Sequence, residues 1–174
     1  MIPIANITVA TNSDIPQIVS LVNSAFRGDT SKKGWTTEAD LLIGPQRTDE
    51  ASVLEMFLKP DAVILKHTEP DGSISGCVYL EKQENRIYLG MLTVSPEIQA
   101  KGIGKLLMEA AETHAQAMGC NAIIMTVISV RTELIAWYER KGYYDTGIKK
   151  PFPVNELFGK PTQKLEFIQL QKDI

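Results

Sequence analysis

The chain has 174 residues, 44% of them hydrophobic and 22% charged, the balance of a globular domain rather than a disordered one. Its 18 Lys and Arg against 21 Asp and Glu leave a net charge of −3, which argues against a general nucleic-acid binder and its basic face. No apolar run approaches the roughly 18 residues of a membrane span, and residues 1–5 lack a charged segment leading into an apolar run, so neither a membrane partner nor a secretory signal is expected, and a cytoplasmic location is. At roughly 150 residues per domain the whole of 1–174 should form one domain, large enough to bury about 70% of its unfolded surface around a single core.

The run Ile4-Ala5-Asn6-Ile7-Thr8-Val9-Ala10 reads as an edge strand. Asp14-Ile15-Pro16-Gln17 then opens a helix: Asp14 can cap, Pro16 falls in the first turn where no amide donor is needed, and Gln17 stands at capping-box spacing. Apolar residues at Ile15, Ile18, Val19, Val22 and Phe26 follow the 3.6-residue period of one buried face. Residues 28–60 form a loosely patterned polar insert, with short helices expected around 37–42 and 50–58. Inserts of this kind often shape a pocket.

Strands are expected at 62–66, 74–81 and 87–94, separated by Glu69-Pro70-Asp71-Gly72 and by a second turn at 83–85, so they form an antiparallel meander. A long helix over 102–118 stops at Gly119. An apolar strand over 122–127 and a helix over 132–141, stopping at Gly142, come next. A strand–helix–strand step brings two parallel strands together with the helix across them. Residues 164–171 alternate loosely and read as a last strand. The fold class is α/β, with a mixed, mostly antiparallel sheet of six or seven strands flanked by helices. Cys77 and Cys120 lack CxxC spacing and read as buried small hydrophobes. His67 and His114 stand alone, so no metal is expected.

The informative stretch runs from Leu92-Thr93-Val94-Ser95-Pro96 through Gln99-Ala100-Lys101-Gly102-Ile103-Gly104-Lys105. A hydrophobic strand ends, Pro96 turns the chain, and a glycine-containing loop opens an amphipathic helix whose buried face carries Ile103, Leu106, Leu107, Ala110, Ala111, His114 and Met118. The first amides of a helix have no partner within it, and the helix dipole adds about half a positive charge there. Gly102 and Gly104 remove the Cβ atoms that would hold an anion away, and Lys101 and Lys105 add charge beside the turn. Taken alone, Gly-x-Gly is also an ordinary helix entry. It lacks Walker spacing, and Leu107 fills the third glycine position of the dinucleotide pattern.

Gln99-x-x-Gly102-x-Gly104 after this strand resembles the acyl-CoA pyrophosphate loop of the GNAT superfamily of N-acetyltransferases. Ala136-Trp137-Tyr138-Glu139-Arg140-Lys141-Gly142-Tyr143 is similar to that family's second signature, a helical Tyr four residues before a Gly-aromatic pair. The order of the elements fits as well, and the resemblance is specific over about 74–147. It implies acetyl-CoA as co-substrate, with no metal. It further implies that the amides of Gln99, Ala100, Lys101, Gly102, Ile103, Gly104 and Lys105 hold the pyrophosphate, and that the main chain of Leu92, Thr93 and Val94 pairs with the pantetheine arm. An amide near Leu92 would polarise the thioester carbonyl. Tyr138 would be the general acid for the CoA thiolate, or else a packing residue beside Trp137, itself expected in the core.

Two positions depart from the family pattern. Leu89-Gly90-Met91 offers no carboxylate on the strand, so a base must come from elsewhere, such as Glu81 or water, or the amine must arrive neutral. Arg131 stands where relatives often carry Asn, and would reach a CoA phosphate or the pantetheine, cap a helix or face solvent. Residues 28–60 and 148–163 vary most. The later segment, with Pro151-Phe152-Pro153, reads as a partial lid or a packed connection, and Trp35 and Phe152 are candidate pocket walls. The expected activity is acetyl transfer to a primary amine, of a small molecule or a peptide. The alternatives are a catalytically silent acyl-CoA-binding or sensing module and an α/β phosphate-binding protein of another family. A homodimer is compatible with the sequence.

Overall fold

The computed structural model describes residues 5–174, so the first residue of the expected opening strand, Ile4, lies outside the described residues. The elements in chain order are β1 (Ile7–Val9), α1 (Ile15–Phe26), α2 (Gly28–Ser31), β2 (Leu42–Ile43), α3 (Glu50–Leu58), β3 (Ala62–Thr68), β4 (Ile74–Gln83), β5 (Arg86–Val94), α4 (Ile103–Ala117), β6 (Ala122–Ile128), α5 (Thr132–Glu139), β7 (Tyr144–Pro151), β8 (Lys160–Pro161) and β9 (Glu166–Asp173). A seven-stranded sheet runs β1-β3-β4-β5-β6-β9-β7. The pair β5–β6 is parallel and its other neighbours are antiparallel, which is the mixed α/β architecture read from the sequence.

The period-2 alternation of β4 feeds two cores. Val78 and Leu80 face the side covered by α4, where Ile103, Leu107, Met108, Ala110, Ala111 and Ala115 are buried. Cys77 and Tyr79 face the other side, under α1 with its Ile15, Ile18, Val22 and Phe26. Each large aliphatic side chain buried this way contributes about 1.5–3 kcal/mol. On α4, Met108 and Ala115 are buried, whereas Leu106, His114 and Met118, expected on the buried face, are half-buried.

The break that matters for the site is in β5. Tyr79 pairs with Gly90 but Cys77 pairs with Thr93, so β5 carries one extra residue there. Met91 takes a left-handed φ of 54° at that point. The bulge flips the side-chain alternation: Ile87 and Leu89 face the α4 core, Met91 the α1 core, and Leu92 and Val94 the α4 core again. A one-residue slip of this kind re-aims every group beyond it.

Three expectations are corrected. Residues 37–41 form no helix, and Leu42–Ile43 instead pairs antiparallel with Lys160–Pro161. The segment expected to be loop from 148 onward begins inside β7, which pairs with β9 at the sheet edge. Asp14 reaches backward rather than forward from the helix start. Its Oδ2 accepts from Thr11 N at 2.8 Å and from Lys66 Nζ at 2.7 Å, and the helix proper follows with Pro16 in its first turn.

Candidate active site

Parallel pairing of β5 with β6 covers Arg86–Tyr88 against Ala122–Ile124 and then stops. Beyond Tyr88 the strands diverge, because β6 stays paired with β9 to its end while β5 stays paired with β4. The space between them is a cleft of about 230 Å³. Its walls are 89–92 and Val94 of β5, 125–128 of β6, Gln99, Ala100 and 102–105 of the turn into α4, and Arg131, Leu134, Trp137, Tyr138 and Lys141 in and around α5. Phe26, Trp35, Thr36, Glu38, Arg47 and Phe167 close the other end. Ten of the twelve site residues expected from the sequence thus border one cavity or its turn. Thr93 turns its side chain into the sheet, its hydroxyl donating to Met91 O at 2.9 Å, and Lys101 points to solvent.

Among the described residues, the turn leaves a row of main-chain donors without partners. Gly102 caps α4 in the left-handed conformation, φ 83° and ψ 5°, and a Cβ placed on it meets nothing within 4 Å. Ala100 also has positive φ, 69°. Outside the helix the first amide to be paired is Leu106 N, on Gly102 O, and the amides of 99–102 donate to no backbone carbonyl among the described residues. The amides of 103–105, in the first turn of α4, have no helical partner either. A row of unpaired donors at a positive dipole end, in open space, fits a diphosphate.

The bulge aims one further donor. The Met91 carbonyl accepts from Thr93 Oγ1 at 2.9 Å and faces Cys77 Sγ, on the β4 side. In a planar trans peptide the next N–H points the opposite way, so Leu92 N–H points away from Cys77, beside the gap where β5 and β6 have parted. Tyr138 stands across that gap. Its side chain is buried, and its ring packs edge-on against Trp137 at 5.1 Å and Tyr143 at 5.8 Å. Its hydroxyl has no hydrogen-bond partner among the described residues, and burial pushes its pKa up to about 12 against the pull of the Arg131 and Arg47 charges. It is therefore a neutral phenol at any physiological pH. Trp137 is half-buried on the cleft wall, with Lys141 Nζ 4.5 Å over its ring, rather than in the core.

The far end of the cleft holds a group of charges of which the sequence singled out only Arg131. Glu38 Oε1 lies 3.1 Å from Arg27 Nη1 and 3.8 Å from Arg47 Nε, and Glu38 Oε2 lies 3.2 Å from Arg131 Nη1. Arg131 also donates to the Thr36 carbonyl, and Arg27 Nη2 to Phe158 O at 3.0 Å. Arg131 is thus neither solvent-facing nor a side-chain cap. Burial lowers the pKa of Arg27 and of Arg131, Glu38 raises it, and the neighbouring guanidiniums lower it again. Of the other candidates, Glu81 pairs with Lys59 and Gln83 away from the cleft. Phe152 stacks on Phe167 at 5.1 Å without reaching the cleft, whereas Trp35 does line it. Burial pushes the Cys77 thiol up to about 12, so it is no nucleophile. Among the described residues no cluster of His, Cys, Asp and Glu could hold a metal ion, and no helix is long and apolar enough to cross a membrane.

A splayed strand pair, a bulge, and an amide-lined glycine turn opening the next helix thus meet at one cleft. The sequence model of the acetyltransferase (GNAT) family matches residues 19–143, and the chain belongs to that family. It is 26% identical over 145 residues to a mycothiol acetyltransferase of Propionibacterium freudenreichii, covering 76% of this chain but 40% of that protein. It is 25% identical to an IAA acetyltransferase of Azospirillum brasilense, over 71% of this chain and 86% of the relative. The chain thus spans well under half the length of the first of these. In three dimensions it resembles the ribosomal-protein-S18-alanine N-acetyltransferase of Escherichia coli, with a TM-score of 0.73 at 15% identity over 97% of this chain and 92% of the other. A phosphinothricin acetyltransferase of Sinorhizobium meliloti, solved with AcCoA, gives 0.72 at 16% identity over 99% and 89%.

Proposed function

We propose that the chain moves an acetyl group from acetyl-CoA to the nitrogen of a primary amine, of a small molecule or a peptide, by direct attack. The observation that carries this reading is the meeting, in one cleft, of unpaired turn amides, a re-aimed strand N–H and a buried neutral phenol. Acetyl-CoA supplies the activated acyl group as a thioester. The amides of Gln99 to Lys105 hold its diphosphate, with Lys101 and Lys105 adding charge from the solvent side. The exposed edge of β5 at Leu92, Thr93 and Val94 pairs with the pantetheine amides as an added strand would. Leu92 N–H points at the carbonyl oxygen, where negative charge grows as the amine attacks.

Tyr138 gives its phenolic proton to the departing sulfur as the C–N bond forms and the C–S bond breaks. It regains a proton from the acylated nitrogen through water, so no net acid is consumed. Arg131, near enough to act on the Tyr138 hydroxyl, brings its charge to the sulfur end of the arm rather than to the diphosphate. Among the described residues no carboxylate in the cleft is free to act as base, because both Glu38 oxygens are engaged by guanidiniums. The positive potential of those groups favours the neutral form of an entering amine instead.

Thiol release from acetyl-CoA, measured across a panel of primary amines, tests this reading. Release that depends on both substrates supports it. Tight CoA binding with no release against any amine contradicts it and leaves a silent acyl-CoA-binding module.

A further inference from the structure

Among the described residues, the far end of the cleft carries more positive charge than negative. Three guanidiniums, of Arg27, Arg47 and Arg131, share the carboxylate of Glu38, and among the described residues no other Asp or Glu lines the cavity. Glu38 and Arg27 are buried and Arg131 is nearly so, with side chains 9%, 3% and 10% exposed. Burying cations without matching anions is costly, so an entering anion would be favoured here.

Arg47 is the group placed to receive it. Its side chain is 30% exposed, and among the described residues its one ion pair is the long 3.8 Å approach of Nε to Glu38. Its guanidinium makes no hydrogen bond among the described residues, which leaves its donors for a ligand. It is nevertheless held in place. The guanidinium carbon lies 4.9 Å over the Phe26 ring, and the Arg47 amide donates to Asn23 Oδ1 at 2.6 Å. Asn23, on α1, also receives Thr48 N at 2.9 Å and donates to Thr48 O at 3.1 Å, which fixes the backbone on both sides. A planar, pre-oriented fork of this kind suits a bidentate acid group. Arg47, Arg131 and Tyr138 line the same cleft.

We infer that the acceptor is an amine that also carries an acid group, bound by Arg47 with Arg131 and Arg27 behind it, so that its nitrogen is delivered toward Tyr138 and Leu92 N–H. This rests on the transferase reading above and narrows its substrate class. The acid is a carboxylate or a phosphorus oxyacid, which share the same recognition chemistry.

The test is thiol release from acetyl-CoA with matched pairs: amino acids against their carboxamides, and aminoalkylphosphonates against the parent alkylamines. The acid-bearing member should win in kcat/KM by roughly 10- to 100-fold in at least one arm, and the arm that responds names the acid. Arg47→Gln should bring that ratio close to one while Arg47→Lys keeps part of it. Equal or better turnover of the neutral members overturns the inference, as does an unchanged ratio in Arg47→Gln, or a loss of CoA affinity in that variant as large as the loss on the acceptor. A thermal shift with N-acetyl amino acids and N-acetylaminoalkylphosphonates in the presence of CoA separates the two levels. A shift in the wild type that Arg47→Gln abolishes, with no amine turned over, keeps the anion site and removes the transferase reading. Turnover without acid preference does the reverse.

Discussion

Gln99 and Thr36 stand 63 positions apart, yet the Gln99 side-chain amide donates to the Thr36 hydroxyl at 2.8 Å. The same side chain reaches the Val94 carbonyl at 3.2 Å and accepts from Trp35 N at 2.8 Å. Gly34 makes the approach possible, since a Cβ there would lie 2.4 Å from Gln99 Oε1. The residue that opens the glycine turn therefore also clamps the segment whose Thr36 carbonyl Arg131 holds.

Gln99→Ala keeps the backbone amide and removes the clamp. With each lost hydrogen bond worth about 1 kcal/mol, the Trp35–Thr36 wall loosens, and KM for the acceptor should rise about 3- to 30-fold. The dissociation constant of CoA should change by less. Steady-state kinetics alongside CoA titration checks this, and equal losses on both would show that the side chain serves the cofactor directly.

Tyr138→Phe should lower kcat by roughly 10- to 10⁴-fold while CoA affinity stays within about threefold. The pH dependence has a definite sign. Burial raises the phenol to about 12, so the proton-donating form persists through the alkaline range. Loss of the acid should not depress kcat anywhere below about pH 11. A falling alkaline limb near pH 9 in the wild type, absent from Tyr138→Phe, would mean that the phenol titrates in an exposed site.

Gly102 and Gly104 should behave differently despite sharing a motif. Gly102→Ala forces a Cβ into a left-handed φ of 83°, costing about 1–2 kcal/mol and re-aiming the turn amides, so CoA binding should weaken along with Tm. A Cβ on Gly104 meets Trp137 at 3.5 Å and Val94 at 3.7 Å, ordinary contacts, and Ala favours a helix by up to about 1 kcal/mol over Gly. Gly104→Ala should therefore keep its Tm. Thermal unfolding and CoA titration of the pair provide the check.

The parts that were legible in the sequence are those with a local signal. The meander, α1, α4 and the glycine turn each carry a period, a cap or a positive-φ residue within a few positions, and they fall where expected. β7 has no such signal: it is an edge strand with seven of its eight residues exposed, so nothing alternates between core and water. β2 and β8 span two residues each, too short for any period. The arginine group was missed for a different reason. Arg131 meets Glu38 across 93 positions, and only the fold brings them together. Arg131 was noticed only because it departed from the family pattern.

Asp14 and Lys66 supply a stability prediction. Burial pushes the Asp14 carboxyl up, but hydrogen bonds from Lys66 and Thr11 and the Lys66 charge outweigh it, and its pKa is lowered below 3.8. A carboxylate depressed on folding stabilises the fold at every pH above its unfolded pKa, and that contribution is lost as pH falls through the folded value. Asp14→Asn should cost about 1–3 kcal/mol at pH 7, and the gap from the wild type should close below about pH 4. Urea unfolding at pH 7 and pH 3 measures it. A gap of the same size at both would assign the effect to packing.

The central claim is that one cleft holds the coenzyme by main-chain donors at the glycine turn and along β5. Backbone amide NMR during titration with CoA tests it most directly. The account predicts that the largest shifts fall on the amides of 99–105 and of 92–94. Saturable CoA binding that leaves those amides unmoved, with its shifts on another face of the sheet, would contradict it.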